Sequence, residues 1–266
     1  MKPLVAVIVE NRNFKNFGEV VKSHMRYLPK GTDLIVFTTN DLANSFNQQL
    51  LKFNIKADFR IFNTKLPIPA GIQRVNGLQD LLKQNQKMPF LLQYCVFMTD
   101  RTFWNTLTSY ERAVFFQMDT GLLREGIEEF LQYDYVGAPC YNFINEQTIM
   151  NGGLSIRNPR IMEYICRVHG WNDDIDLLIQ AGQGSTASFF AEDIFFCARM
   201  IKYNIGNYPP LDVAKKFAVE SRFELGTLGY HNMGPYLSSE QVNQVLNQYK
   251  KPATNTNKQR SRRSRK

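Results

Sequence analysis

The first patterned segment is Leu4-Val-Ala-Val-Ile-Val9, six apolar residues without a polar interruption, four of them β-branched. A strand with one solvated face would alternate, so this run predicts a strand covered on both faces in a parallel sheet. The period then changes. Phe17, Val20, Val21, His24, Met25 and Leu28 recur at helical spacing until Pro29, and Asn16 with Glu19 three residues later has the form of a capping box. Residues 33–37 predict a second buried strand, 41–53 a second helix and 59–62 a third, short strand. This β-α-β-α-β order predicts a doubly wound α/β sheet with ligand loops at the C-terminal strand ends. Asn11 and Arg12, just past the first strand, fall on that edge.

A Pro-punctuated stretch around Pro67 and Pro69 leads into mostly helical sequence over about 73–107, after which Arg112-Ala-Val-Phe-Phe-Gln117 reads as another central strand. Beyond it the pattern is shorter and less regular. Tyr133-Asp-Tyr-Val-Gly-Ala-Pro139 and Asn151-Gly-Gly-Leu-Ser-Ile-Arg157 predict two strands separated by a loop, and 159–169 and 188–203 predict helices. There is no internal repeat.

With 266 residues, 44% of them hydrophobic, the chain can bury one substantial core, which excludes disorder throughout. No stretch approaches 18 consecutive apolar residues, and the apolar run at the start is too short for a signal-peptide core, so no transmembrane segment and a cytoplasmic location are expected. The net charge of +8 suggests nucleic-acid binding until it is located. Lys258, Arg260, Arg262, Arg263, Arg265 and Lys266 supply all but two of those charges, leaving a nearly neutral body. Residues 250–266 are therefore expected to be a disordered basic tail, suited to nucleic acid, an anionic membrane or an acidic protein.

The four cysteines show no C-x-x-C spacing, and none of the three histidines is paired at i, i+4 or flanked by Cys at metal spacing, which argues against a Cys/His zinc site. Any metal should be oxygen-bound, with at most one histidine. Gly182-Gln-Gly-Ser-Thr-Ala187 has the G-x-G-x-x-A form but lacks the following strand and acid of a dinucleotide fold. The P-loop, the serine-hydrolase elbow and H-E-x-x-H are absent.

Four places can carry chemistry. Asp119, in Phe115-Phe-Gln-Met-Asp-Thr120, follows a buried strand and can meet a cation or ligand oxygens, or simply cap a turn. Asn151, Gly152 and Gly153 allow close backbone approach of a ligand, or a plain bend, and Arg157 two residues after Ser155 is either a phosphate contact or a solvated charge. Glu192 and Asp193 begin a helix, where the dipole favours ionised acids. If one is turned into a cleft it can serve as a general base. His231, in a Gly-flanked loop, is a surface or packing residue or the single nitrogen ligand of an oxygen-rich metal site. His24, on the apolar face of the first helix, reads as structural.

Taken in order, FFQMDTGLLR, EFLQYDYVGAPC, NGGLSIRNPRIM, AEDIFFCARM and LGYHNMGPYL resemble a family of glycosyltransferase-like proteins of the GT-A fold, over about residues 103–237. The resemblance implies a single domain over 1–249 with a GT-A-type, Rossmann-like mixed sheet flanked by helices, a nucleotide-binding half at about 1–120 and an acceptor half at about 121–249. It implies a metal-dependent glycosyltransferase that moves a sugar from a nucleotide-sugar donor to an acceptor hydroxyl of a glycan, protein or small molecule, with inversion expected if Asp193 is the base and retention if Asp193 only caps its helix or orients the acceptor. A divalent cation, Mn²⁺ or Mg²⁺, would be held by Asp119 and His231. Asp119 matches the last position of the fold's D-x-D motif, with Gln117 in place of the first acid. Asn151, Gly152, Gly153 and Arg157 match the donor or acceptor loop, Asp193 with Glu192 the catalytic acids, and Gln117 and Asp119 the donor side; Asn11 and Arg12 precede the resembling stretch and join the donor side on fold geometry alone. Cys140 stands where an aromatic residue is common. Two other readings compete: a nucleotidyltransferase, disfavoured by a first loop, Val9-Glu-Asn-Arg-Asn13, without glycine, and a non-catalytic binding protein acting through its tail.

Overall fold

The computed structural model describes residues 2–62, 88–144, 146–181 and 191–250. The tail from 251, the Gly182–Ala187 segment and residues 63–87 of the stretch around Pro67 and the 73–107 region lie outside the described residues.

The first strand, β1 (Lys2–Val9), is buried from Leu4 to Val9, as its unbroken apolar run requires. It is followed by α1 (Phe17–Met25), β2 (Asp33–Thr38), α2 (Asn40–Leu51) and β3 (Asp58–Ile61). The strands β1, β2 and β3 are parallel. The two helices are joined by Phe17 stacked on Phe46 at 3.9 Å. The expected capping box does not form: Asn16 has φ −105° and ψ 17°, outside the extended geometry of an N-cap, and its side chain caps nothing. The helix also stops at Met25, one turn earlier than the hydrophobic period suggests.

The predicted helical region resolves into α3 (Met88–Met98) and a short α4 (Arg101–Asn105). They part at Asp100, whose carboxylate accepts the N–H of Thr102 at 2.6 Å and starts the second helix. The strand β4 (Tyr110–Phe115) then lies beside β1, parallel to it. The hairpin of β6 (Tyr135–Ile144) and β7 (Gln147–Arg157) completes the sheet, with β7 antiparallel to β4. These two strands are longer than their sequence pattern suggested: the expected loop at 140–150 is ladder on both sides of a turn at Glu146, which takes φ +66°.

The sheet order is β3-β2-β1-β4-β7-β6, a mixed α/β sheet flanked by helices. Its direction of winding reverses between β1 and β4, and a crevice opens at the C-terminal ends of strands at such a switch point. A second sheet, β5-β9-β8, is formed by β5 (Thr120–Leu122), β8 (Ala218–Val219) and β9 (Gly229–His231), strands too short to give a sequence period. The remaining helices are α5 (Pro159–Val168), α6 (Ile175–Ala181), α7 (Glu192–Tyr203), α8 (Leu211–Phe217) and α9 (Ser239–Asn247). The last begins on a capping box of Ser238 and Gln241. One hydrophobic core runs from β1 to α8, and a small cluster of Val219, Met233 and Val245 packs α9 onto the second sheet.

Candidate active site

Because β1 and β4 are neighbours on either side of the switch point, the residues following them meet at one edge. Val7 pairs with Phe115, so Asn11 and Arg12 lie on the same rim as Gln117 and Asp119. Arg12 is held by Glu10, a buried carboxylate that accepts from its Nε and Nη2 at 2.8 Å each and from its backbone N–H at 2.9 Å. That bond and the nearby charge of Asp119 raise the guanidinium's proton affinity against the cost of burial.

The Gln117–Asp119 turn is fixed from beneath. The Thr120 hydroxyl donates to the Gln117 carbonyl at 2.7 Å, and His24 Nε2 lies 3.0 Å from the same hydroxyl. Burial lowers His24 to about 4, so the ring is neutral, stacked on Phe116. The structural reading of His24 therefore gains a specific task, under the turn that presents Asp119. Burial raises the proton affinity of the Tyr94 phenol, which the neighbouring Gln117 side chain offsets in part. Asp119 itself is exposed.

The register Phe115↔Ser155 carries Asn151, Gly152 and Gly153 past the end of β4, alongside this turn. Gly153 passes so close to His231 that a methyl group on it would stand 2.5 Å from Nε2. Gly153→Ala is accordingly expected to cost about 1–3 kcal/mol through overpacking. Urea denaturation checks this, with Gly234→Ala as the neutral control, since nothing lies within 4 Å of that position.

Arg157 does not reach the open side of this loop. Its side chain is fully buried behind it, with Nη1 and Nη2 donating to Glu192 at 2.6 and 2.9 Å, Nη2 also to the Gly152 carbonyl at 3.1 Å, and Nε to Ser155 Oγ at 3.0 Å. The rings of Phe115 and Tyr135 lie 4.9 Å from the guanidinium carbon. Burial would lower its pKa, but the charge and hydrogen bonds of Glu192, together with the neighbouring tyrosines, raise it and keep it charged. Both members of the adjacent acid pair thus have separate jobs. Glu192 spends both oxygens on Arg157, whereas Asp193 remains partly accessible.

Asp193 accepts the N–H of Gly152 at 3.2 Å and that of Ile194 at 2.7 Å. These bonds favour the anion, yet burial first and the Glu192 charge second raise its pKa to about 7. A carboxyl poised near neutrality, fixed in place and still partly accessible has the properties of a general base.

His231 ends β9 rather than lying in a loop, paired with Thr120 across the small sheet. Its Nε2 is 3.6 Å from Asp119 Oδ1, and its Nδ1 is 2.9 Å from Glu220 Oε1. Burial would lower its pKa, but the Glu220 bond and the charges of Glu220, Asp119 and Asp193 together raise it. Glu220 stands in no motif of the sequence. Its only signal was a lone acid directly after the apolar Phe217-Ala-Val219, with no recognisable spacing to the other candidates.

The chain matches the model of a family described as Protein of unknown function (DUF5672) over residues 82–233, more than half of its length. It belongs to that family. No curated protein matches it. Among solved structures it is similar to the apo form of mouse xyloside xylosyltransferase 1, with a TM-score of 0.55 and 9% identity over 89% of this chain and 99% of that one. It is also similar to the PaToxG glycosyltransferase, with a TM-score of 0.38 and 11% identity over 76% of this chain and 69% of that one. The first similarity shows the fold: the mixed sheet flanked by helices is one that a glycosyltransferase adopts. The DUF5672 match spans Gln117, Asp119, the Asn151–Gly153 loop, the Glu192 and Asp193 pair, Glu220 and His231, whereas Asn11 and Arg12 precede it.

Whether these DUF5672 residues suit a divalent cation can be judged from the donor set. Among the described residues no group of three or more His, Cys, Asp or Glu is arranged for a metal, so the protein would supply a pair, Asp119 and His231. Their separation of 3.6 Å is too long for a hydrogen bond, yet two metal–ligand bonds of about 2.1 Å can bridge it. A carboxylate and one imidazole, with phosphate oxygens and water completing the shell, are chemistry that Mg²⁺ or Mn²⁺ accepts. The residues fit. Among the described residues no helix is long and apolar enough to cross a membrane.

Proposed function

We propose that the protein is a metal-dependent glycosyltransferase that moves a sugar from a nucleotide-sugar donor to an acceptor hydroxyl with inversion. The observation that carries this reading is the meeting, at the switch point of the sheet, of Asp119 and His231 with the Gly152–Gly153 backbone and a near-neutral Asp193. Asp119 and His231 would hold the cation, which supplies positive charge to the diphosphate as it leaves. Arg12 is clipped to Glu10 on the same rim as a net-neutral pair, so it would serve the donor side as an oriented N–H donor rather than as a free charge. Asn11 and Gln117 line the donor side.

In this scheme Asp193 accepts the proton of the acceptor hydroxyl as its oxygen attacks the anomeric carbon on the face opposite the diphosphate. A single base on that face gives inversion. The Asn151–Gly153 strand segment runs between the proposed donor and acceptor sides, and its glycines let Arg157, Glu192 and His231 pack directly against its backbone.

Titration with a panel of sugar nucleotides, with and without Mn²⁺, tests the reading by thermal stability and released nucleoside diphosphate. A donor at about 100 times its dissociation constant should add about 2.7 kcal/mol to stability in the presence of the cation. Asp119→Asn is expected to lose that increment and the release together. A panel in which no sugar nucleotide shifts stability with any cation would count decisively against the donor site.

A further inference from the structure

We propose that Glu220 is a positioning residue of this centre, one that sets the tautomer of His231 and the orientation of Asn151 so that His231 Nε2 faces the cation. The inference rests on the reading of Asp119 and His231 as cation ligands.

Glu220 follows β8 and is 5% exposed. Its oxygens are divided among three strands that also carry the site. Oε1 accepts from Asn151 Nδ2 of β7 at 3.3 Å and faces His231 Nδ1 of β9 at 2.9 Å, while Oε2 accepts from Cys140 Sγ of β6 at 3.9 Å. Among the described residues its ion-pair partner is His231, and it pairs with neither lysine nor arginine. A buried carboxylate so placed is expensive compared with an apolar residue, and that cost demands a return.

The return is directional. An ionised carboxylate only accepts, so the hydrogen of a neutral His231 ring is drawn to Nδ1, and the lone pair is left on Nε2, the nitrogen that faces Asp119. The same oxygen fixes Asn151, because the amide that donates to Glu220 must point its own oxygen the other way. There it accepts the Gly153 N–H at 2.6 Å. Gly153 in turn backs onto the His231 ring. Glu220, His231, Gly153 and Asn151 therefore close a ring of contacts, and the carboxylate is the member that gives it a direction.

The test uses the full chain with nitrogen-15-labelled histidine and three proteins: wild type, Glu220→Ala and Glu220→Gln. Ring nitrogen shifts without metal, at a pH where His231 is neutral, report the tautomer directly, and calorimetric titration with Mn²⁺ alone reports the affinity. The wild type should carry its hydrogen on Nδ1. Glu220→Ala should lose that preference and bind Mn²⁺ about 10- to 100-fold more weakly. Glu220→Gln keeps an oxygen acceptor of the same shape and should restore the tautomer and most of the affinity, which a merely structural role would not require. Unchanged ring shifts in Glu220→Ala, or a Glu220→Gln as impaired as Glu220→Ala, overturn the proposal. If Glu220→Ala does not fold, the isosteric Glu220→Gln still decides, since loss of the Nδ1 hydrogen there overturns it. Should the wild type bind no Mn²⁺ while its ring shows the expected tautomer, the cation reading fails and the orienting role of Glu220 stands.

Discussion

Arg157→Met is expected to lower the stability of the protein by about 3–5 kcal/mol, the largest loss of any single substitution considered, because it leaves the Glu192 carboxylate buried and unpaired. Chemical denaturation followed by circular dichroism measures it. The magnitude follows from position: the guanidinium is wholly enclosed, satisfies Glu192, the Gly152 carbonyl and Ser155 at once, and sits against Phe115 and Tyr135. Removing both charges in Arg157→Met with Glu192→Leu should recover much of the loss, since an apolar pair of similar volume avoids the desolvation of two ions. Activity is expected not to recover with it. The pair also fixes the relative placement of Gly152 and the start of α7, hence of Asp193, and an apolar pair has no hydrogen bonds with which to do so. A double variant as active as the wild type would show that the ion pair stabilises the fold without positioning the site.

This pair also marks where sequence reading stops. The parallel half of the sheet was legible because β1 and β2 are buried on both faces and carry unbroken apolar runs, each followed by an amphipathic helix. The edge location of Asn11, Arg12 and Asp119 followed from the same logic. What could not be read was which polar residues turn inward. Arg157 lies on a strand whose composition allows either a ligand contact or a solvated charge, and its partner is 35 positions away. Glu220 has even less signal, because β8 has two residues and β9 three, too few for a period of two to show. Hydrophobic patterning records which faces are dry. It does not record which buried ions find one another, and in this protein those ions organise the site. The resemblance in motif order supplied Asp193 and His231, but the reason Asp193 rather than Glu192 stays partly accessible lies in Arg157.

Asp193→Asn is expected to lower turnover by about 10²–10⁴-fold while leaving donor binding within a factor of about two, since a general base contributes at that scale and takes no part in holding the donor. Asparagine retains an oxygen for the Gly152 N–H, so the loop should keep its place. Two pH signatures separate this role from a structural one. Asp193 must be ionised to accept a proton, so kcat/KM of the wild type should rise with pH through about 7 and then level. Stability should move the opposite way. The folded state holds a proton on Asp193 that an unfolded aspartate releases at about pH 4. The associated stabilisation is therefore complete below that value and is lost as pH rises through about 7. Asp193→Asn should remove this component of the pH dependence of stability and gain on the wild type above neutrality. The two trends share one cause. Burial and the neighbouring Glu192 make the anion costly, and that cost makes Asp193 a stronger base once it is formed. A flat kcat/KM profile across pH 5–9, with turnover retained in Asp193→Asn, would assign proton removal to another group.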